Sequence, residues 1–560
     1  MTQLHLANDD VFLKYAWQSL LFVGQPKRHE LVALKCSWAL QPVRVRVHRN
    51  HGFEHVATVA EKWVNWWGRS MLIKVGNYDD TLSFDSIDDA ESDLDLLWLD
   101  MARYTNLDTE DWLIERINAL REITRTPLLL VTVGLKPQAR DIIQGQLSSM
   151  PSFYHYQVED IYRPESFNMF SERTARLTGT RLSDRMLLLA ARELACWWIP
   201  RALNVTRKAV VVDLDNTLFS GILGEEGLSE IKMTEGHKML QQTLLDLKNR
   251  GILLAIASRN LEEDVREMFE RRKDFPLRWS DFAAHGIGWQ DKTLSLNKIA
   301  DQLRIGLDSL VFVDDNPGEL AAVSSNFPDI GLIYAEKDPH LTLTALKYFP
   351  GLWRPQLLKE DKLRAEDLAA NIKRKKIAAS SNNSKNYLQC LQIVIDFYVN
   401  RKDQLARMVE LSQKTNQFNL TLSRFDEVKL FKKIEQPNVR VITIGLRDRL
   451  TDSGLIGLLV VSRDEEAVRI EELAISCRAL GRGLEDIMIA GALHLAFAKD
   501  VAALPLMFRH CTGPRNHPAR SWLARRCGAE LSAEEWQHVP WWGKEACGIT
   551  GNITIKHHKI

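Results

Sequence analysis

The sequence predicts an α/β protein of three domains, and three observations carry that expectation. At 560 residues the chain is too long for one hydrophobic core. Short apolar runs such as LDLLWLDMARY, TPLLLVTVGL and KAVVVDLD alternate with amphipathic stretches such as EDWLIERINALREI, the pattern of strands interleaved with helices. Several of the apolar runs end abruptly in polar residues, which is where open α/β sheets bind ligands.

Composition narrows the classes. Hydrophobic residues make up 45%, charged residues 26% and aromatics 8%, ordinary for a globular protein. Lys+Arg and Asp+Glu both number 73, so no bulk attraction to nucleic acid or to an anionic membrane is expected. The opening MTQLHLANDDVFLKYAW lacks the basic and apolar regions of a signal peptide. MLLLAARELACWWIPRAL comes nearest to a membrane span, but Arg192, Glu193 and Arg201 interrupt it, which makes it a core helix. Seven cysteines without a CxxC pair signal neither a disulfide framework nor a zinc site. A cytoplasmic location is the expectation.

Residues 1–205 form the first expected domain. The region shows neither a Gly-Asp-Ser turn nor Gly-x-Ser-x-Gly, so no esterase-type serine site is evident. Trp63, Trp66 and Trp67 repeat at helical spacing and read as core or interface. The second domain, 206–350, reads strand, helix, strand, and later strand again: KAVVVDLDNTLF, GHKMLQQTLLDLKNRG, ILLAIASRN and SLVFVDDNP. Such short apolar runs suit parallel strands buried on both faces. Residues 351–388 pass from a charged helix into a Ser/Asn-rich patch and read as a linker. The last domain, 389–560, carries the strands LQIVIDFYV, VRVITIGLRD and GLIGLLVVSR and the helix LEDIMIAGALHLAFAK.

The second domain holds the clearest chemistry. Asp213 and Asp215 follow a hydrophobic strand directly, and residues i and i+2 share a face, so both carboxylates can approach one phosphorus atom. One can attack as nucleophile while the other protonates the leaving oxygen and later activates water. Their mutual repulsion calls for a hard divalent cation, and Mg²⁺ fits. Ser258, at the end of LLAIAS, can donate to a phosphoryl oxygen. Lys292 supplies a fixed positive charge. Asp314 and Asp315 complete the metal set with Asp213 and Asp215; either of the later pair can be the ligand, with the other orienting it.

These four motifs, in this order, are similar to those of the haloacid dehalogenase (HAD) superfamily. DLDNTLFSGILGEEG, GWQDKTLSLNKIA and FVDDNP resemble its FkbH-like branch, whose usual form reads DLDNTLWGGVIGEDG; Phe219 and Ser220 depart from it. The gaps from Asp213 to Ser258 (45 positions) and from there to Lys292 (34 positions) leave little room for a large cap. An uncapped, open site is expected, suited to a substrate carried on a macromolecule or enclosed by a neighbouring domain.

The last domain contains SCRALGRG, with Arg478, Gly481, Arg482 and Gly483 between a strand and a helix. Glycines there let backbone N–H groups approach phosphate at the positive helix end. The pattern resembles the pantetheine-binding loop of GNAT acyltransferases. QKTNQFNLTLSRF, LRDRLTDSGLIGLLVV and PRNHPARSWL also resemble the C-terminal half of FkbH-like proteins, and LTGTRLSDRMLLLAARELA resembles the degenerate SGNH-hydrolase-like domain that precedes it. Cys477, beside Arg478 and near a helix N-terminus, is the candidate thiol nucleophile, against the alternative of a packed core cysteine; Cys511 is a second candidate. Asn416 and Gln417 either orient an acyl chain or close a turn. His517, Arg525 and Arg526 read as solvated surface or as a site for an acidic carrier.

The resemblance implies a degenerate SGNH-like domain, an uncapped HAD-like domain and a GNAT-like domain. It implies transfer of a glyceryl or related hydroxyacyl group from 1,3-bisphosphoglycerate, with dephosphorylation, to the phosphopantetheine thiol of an acyl carrier protein in polyketide-type biosynthesis. The alternatives are a HAD phosphatase whose GNAT-like domain only binds a partner, and a CoA-dependent N-acyltransferase.

Overall fold

The computed structural model describes residues 2–79, 81–84, 87, 91–104, 109–124, 126–147, 150–163, 167–353, 390–480, 482–497, 503–513, 515–531, 535–543 and 553–558, with eight positions between 363 and 377. It is a mixed α/β protein with three sheets in two compact units, one of residues 1–302 and 307–356, the other of 303–306 and 357–560.

The first unit holds two parallel sheets. Strands β1 (Gln41–Arg49), β2 (Arg69–Tyr78), β3 (Leu94–Asp100), β4 (Leu128–Val133) and β5 (Phe153–Gln157) are ordered β2-β1-β3-β4-β5. Every residue of β3 and β4 is buried, as their unbroken apolar runs require. The turn after β1 is Asn50–His51–Gly52, with no serine. Asn50 is fully buried and clamps the end of β3, donating to the Asp100 carbonyl and accepting from its N–H.

Strands β6 (Ala209–Val212), β7 (Leu253–Ser258), β8 (Phe282–Ile287), β9 (Leu310–Asp314) and β10 (Gly331–Tyr334) form the second sheet, ordered β10-β9-β6-β7-β8. A single buried core runs through both sheets, joining Trp63 of the helix Glu54–Trp66 and Trp98 of the first sheet to Val210, Ile256 and Val313 of the second. This continuity is why the first two expected domains pack as one unit. The helical run from Asp184 to Ala202 lies in that core, with π-helical turns at Leu194–Trp198. At the seam Tyr348 donates to Glu193 at 2.9 Å and accepts from Arg192 at 2.9 Å.

The second unit is a seven-stranded sheet: β11 (Ile393–Val399), β12 (Val439–Arg447), β13 (Asp452–Arg463), β14 (Val468–Ile475), β15 (Leu506–Arg509), β16 (Trp536–Val539) and β17 (Ile553–His558). The order is β16-β15-β14-β13-β12-β11-β17, antiparallel except for β14 with β15 and β11 with β17. Most of the stretch read as a linker, including its Ser/Asn-rich patch, lies outside the described residues. Asp367 and Arg374 within it are buried and belong to the second unit's interior. Among the described residues, no helix is long and apolar enough to cross a membrane.

Candidate active site

The second sheet presents its functional side chains at strand carboxyl ends. Asp213 follows β6, Ser258 ends β7 and Asp314 ends β9, while Lys292 opens the helix Lys292–Leu303 behind β8. The adjacent order β9-β6-β7 brings these residues to one crevice. Asn316 caps the helix Pro317–Asn326 by accepting from the Gly318 N–H, and Pro317 at the first helical position fixes the turn that follows Asp314 and Asp315.

Lys292 is the electrostatic hub. Its ammonium lies 2.7 Å from Asp213 Oδ1 and 3.1 Å from Asp314 Oδ2, and donates to the Ala257 carbonyl at 2.6 Å. Those three acceptors match the three protons of the group. Burial pulls its pKa down, but the two carboxylates outweigh that and the net shift is upward, so Lys292 is a permanent cation.

One oxygen from each of Asp213, Asp314 and Asp315 falls within 4.8 Å of the others. Burial first, and then the negative charge of Asp213, raises the pKa of Asp314; the same two causes push Asp315 up to about 6. A single lysine does not neutralise three carboxylates. The donor set therefore fits a hard divalent cation, which binds through oxygen ligands and relieves this repulsion. Asp314 is already engaged by Lys292 and by the Asn316 N–H, whereas Asp315 is half-buried and less encumbered.

Asp215 stands apart from this trio. Its Oδ1 accepts from the Leu223 N–H at 2.8 Å and its Oδ2 from the Asn260 amide at 2.7 Å. Burial raises its pKa and these two donors only partly offset that, a poise suited to a proton carrier. Asn260 also donates to Ser258 Oγ at 3.1 Å. The sequence reading passed over Asn260, although ASRN places it two residues beyond Ser258 and hence on the same side of the strand end. Arg259 lies at the rim, paired with Glu319 at 2.6 Å.

No folded cap covers these residues from within the domain. Between β6 and β7 the chain makes only the short helix Leu223–Glu226, a bridge from Ser220 to Lys232 and the helix Glu235–Asn249. Between Ser258 and Lys292 it makes the helix Glu262–Arg271, one 3₁₀ turn and β8.

No family model and no curated protein matches the chain. Solved structures give partial likenesses. The N-terminal part of BF1531 from Bacteroides fragilis, containing a phosphatase domain and complexed with Mg, is 19% identical; the match covers 62% of this chain and 99% of that one at a TM-score of 0.44. A tandem GNAT protein from the clavulanic acid biosynthesis pathway is 17% identical over 25% of this chain and 45% of its own, at a TM-score of 0.19. A fungal multi-domain β-N-acetylglucosaminidase bearing a GCN5-related glucosamine N-acetyltransferase region is 10% identical over 93% of this chain and 67% of its own, at 0.18. These likenesses are loose, and what the site can do follows from its own geometry.

In the second unit the candidate loop follows β14. Cys477 is half-buried there and Arg478 is buried. Gly481 lies outside the described residues. Gly483 has φ +68, which favours glycine, with open space where a Cβ would stand. Arg482 turns inward: its guanidinium is 3.3 Å from both Asp367 and Asp448 and 3.2 Å from Ser453. Arg374 holds the same two aspartates at 2.8 Å. This buried network of two arginines and two aspartates was not legible from the sequence, because Asp367 and Arg374 fall in the stretch read as linker.

Strands β14 and β15 pair only from Val468 to Ile470 and then diverge. Phe418–Leu420 fills the opening: the Ile475 N–H donates to the Phe418 carbonyl at 2.8 Å, Leu420 to Leu473 at 3.1 Å, and Cys511 to Leu420 at 2.9 Å. Asn416 accepts from Arg424 at 2.5 Å and so closes that loop, while Gln417 accepts from the Ala519 N–H through its backbone. Fully buried Glu472 sits behind the wedge, bound by Ser412, Asn419 and Thr421. Cys511 donates to the Thr421 carbonyl at 3.1 Å, and burial pushes its thiol pKa up. His517 and Arg525 are exposed, and Arg526 pairs with Asp486 at 2.8 Å.

Proposed function

We propose that the chain is a HAD-type phosphatase joined to an acyltransferase-type domain: a thiolate attacks the acyl carbon of a small acyl phosphate and its phosphate leaves, the acyl group passes to the thiol of an acyl carrier protein by thioester exchange, and the aspartate site removes the remaining phosphomonoester phosphate. The observation that carries the phosphatase half is the meeting of Asp213, Asp314, Asp315 and Lys292 at adjacent strand ends. The carrier and the glyceryl group rest on the resemblance to FkbH-like proteins.

In this reading Asp213 attacks phosphorus, the P–O bond to the leaving alcohol breaks, and Asp215 gives that oxygen its proton. The ionised Asp215 then takes a proton from water as the water oxygen attacks the aspartyl phosphate. Phosphate leaves and Asp213 is regenerated. Lys292 orients Asp213, Ser258 donates to a phosphoryl oxygen, and Asn260 fixes Asp215. Asp213, Asp314 and Asp315 would hold a divalent cation, which would neutralise charge on the phosphoryl group. The open site admits a substrate attached to something larger.

For the transfer half, Cys477 is proposed as the thiol, with Arg478 and the loop through Gly483 facing the phosphate of the pantetheine arm or of CoA. A second reading is favoured by the wedge and by Arg482. The part of β14 from which β15 diverges is already paired to Phe418–Leu420 and the Arg482 guanidinium is consumed by two aspartates, as in a domain that binds a partner without catalysing transfer.

The test is incubation with 1,3-bisphosphoglycerate, Mg²⁺ and holo carrier protein, reading phosphate release and the mass of the intact carrier. A glyceryl mass gain lost in Cys477→Ser supports transfer. Phosphate release without any mass gain favours the second reading. Phosphate release retained by Asp213→Asn removes Asp213 from its role.

A further inference from the structure

The first unit contains a cavity of about 410 Å³ that the phosphatase reading does not use. It lies at the seam of the two parallel sheets, bounded by the starts of β1 and β2 on one side and by Asp329–Leu332, at the start of β10, on the other. Strand starts face away from the crevice that holds Asp213, so the two sites are separate. The volume falls within the range of small-molecule sites.

Its walls combine rings with the cations Lys14, Arg69 and Arg207 and with the Asp329 carboxylate. Trp66, Trp67 and Phe349 provide flat apolar surface, and Lys14 and Arg69 both line the space. Lys14 faces the ring of Trp38, 5.3 Å away, and is attracted by Cys36 and Asp10 without an ion pair, and Arg69 has no ion pair or hydrogen bond through its guanidinium among the described residues. Burial lowers the pKa of both, and the attraction of Cys36 and Asp10 on Lys14 and of Asp329 and Asp93 on Arg69 only partly offsets it. The nearby carboxylate of Asp329 attracts Arg69 through space but forms no ion pair with it. Positive charge partly withdrawn from water is costly, and an anion supplied from solution answers both cations, Lys14 and Arg69.

We infer that this seam cavity binds a small organic anion with a flat apolar body, its charged group held between Lys14 and Arg69 and its body against Trp66, Trp67 and Phe349. Such a ligand touches both sheets of the unit, and its occupancy ties the first sheet to the phosphatase sheet.

Naphthalene-1-sulfonate, titrated calorimetrically into the full chain, is a suitable probe because a phosphatase cannot hydrolyse it. Saturable binding at one site per chain is expected, with 1-naphthol and methanesulfonate each at least about tenfold weaker, since one lacks the charge and the other the ring. Arg69→Gln should weaken the sulfonate about tenfold and leave 1-naphthol and phosphate release unchanged. If Arg69→Gln lowers thermal stability, exposed Ala39 at the cavity wall provides the second variant: Ala39→Trp should block the sulfonate while the protein stays folded. Lack of saturable binding up to about 5 mM overturns the inference. So does equal affinity in the variant used, or displacement of the probe by orthovanadate at the catalytic site.

Discussion

The amide of Asn260 lies 2.7 Å from Asp215 and 3.1 Å from the hydroxyl of Ser258, so one side chain ties the second aspartate of the strand-end pair to the neighbouring strand. A donor to a carboxylate favours its ionised form. Asn260→Ala should therefore raise the pH at which Asp215 titrates, on top of the rise that burial already imposes. The pH–rate profile for phosphate release should move upward with kcat reduced about tenfold and KM little changed. An unmoved profile would remove Asn260 from this positioning role.

Asp315 is pushed up to about 6 by burial and by Asp213. A carboxyl whose folded pKa is raised costs stability as pH climbs from its unfolded value through the folded one. In EDTA at neutral pH, Asp315→Asn should melt above the unaltered protein. Mg²⁺ at a hundredfold excess over its Kd should stabilise the unaltered protein by about 2.7 kcal/mol, and the variant much less. Calorimetric scans with and without Mg²⁺ check both halves; equal Mg²⁺ stabilisation of the two proteins would exclude Asp315 as a ligand.

Glu193 offers a pH test away from the catalytic site. Burial raises its pKa from 4.5 to about 7, against the attraction of Arg192 and the hydrogen bond from Tyr348. The native state then holds a proton that the unfolded chain has lost, so stability falls between those two values, by roughly 3 kcal/mol at most. Glu193→Gln should match the unaltered protein at pH 5 and melt at a higher temperature at pH 8. A variant less stable at pH 8 would show that the ionised carboxylate is the stabilising form.

Arg374 shares Asp367 and Asp448 with Arg482. Arg374→Met should cost about 3–5 kcal/mol, because it leaves buried carboxylate charge with half its compensation. Urea denaturation of the full chain measures this. A loss under about 1 kcal/mol would mean that water reaches the cluster.

Motif spacing made the strand ends of the second sheet readable. VVVDLD, LLAIAS and LVFVDD are apolar runs closed by functional residues, and β6, β7 and β9 stand where those runs lie. Tertiary partners were harder to read. Asp215 is turned from the other carboxylates by the Leu223 N–H, eight positions away, and nothing in a local pattern announces a backbone donor. Strands β8 and β10 are short or polar, FAAHGI and GLIY, and β10 exists because β9 offers it an edge. The fusion of two sheets into one core is likewise a matter of which apolar faces meet, as Trp66 and Phe349 do edge-on at 5.6 Å, and periodicity does not specify partners.

The wedge Phe418–Leu420 also bears on how this unit is made. Its residues leave the ribosome before any part of β12 to β15, yet their hydrogen-bond partners are Leu473, Ile475 and Cys511. The loop must wait 53 positions (473 − 420) for Leu473, 57 (475 − 418) for Ile475 and 91 (511 − 420) for Cys511, and such long-range closures are slow steps in assembly. The second unit therefore cannot be completed piecemeal during synthesis. A nascent chain halted before Cys511 should stay sensitive to protease at the wedge, and release past that point should let the sheet close around it in one late event.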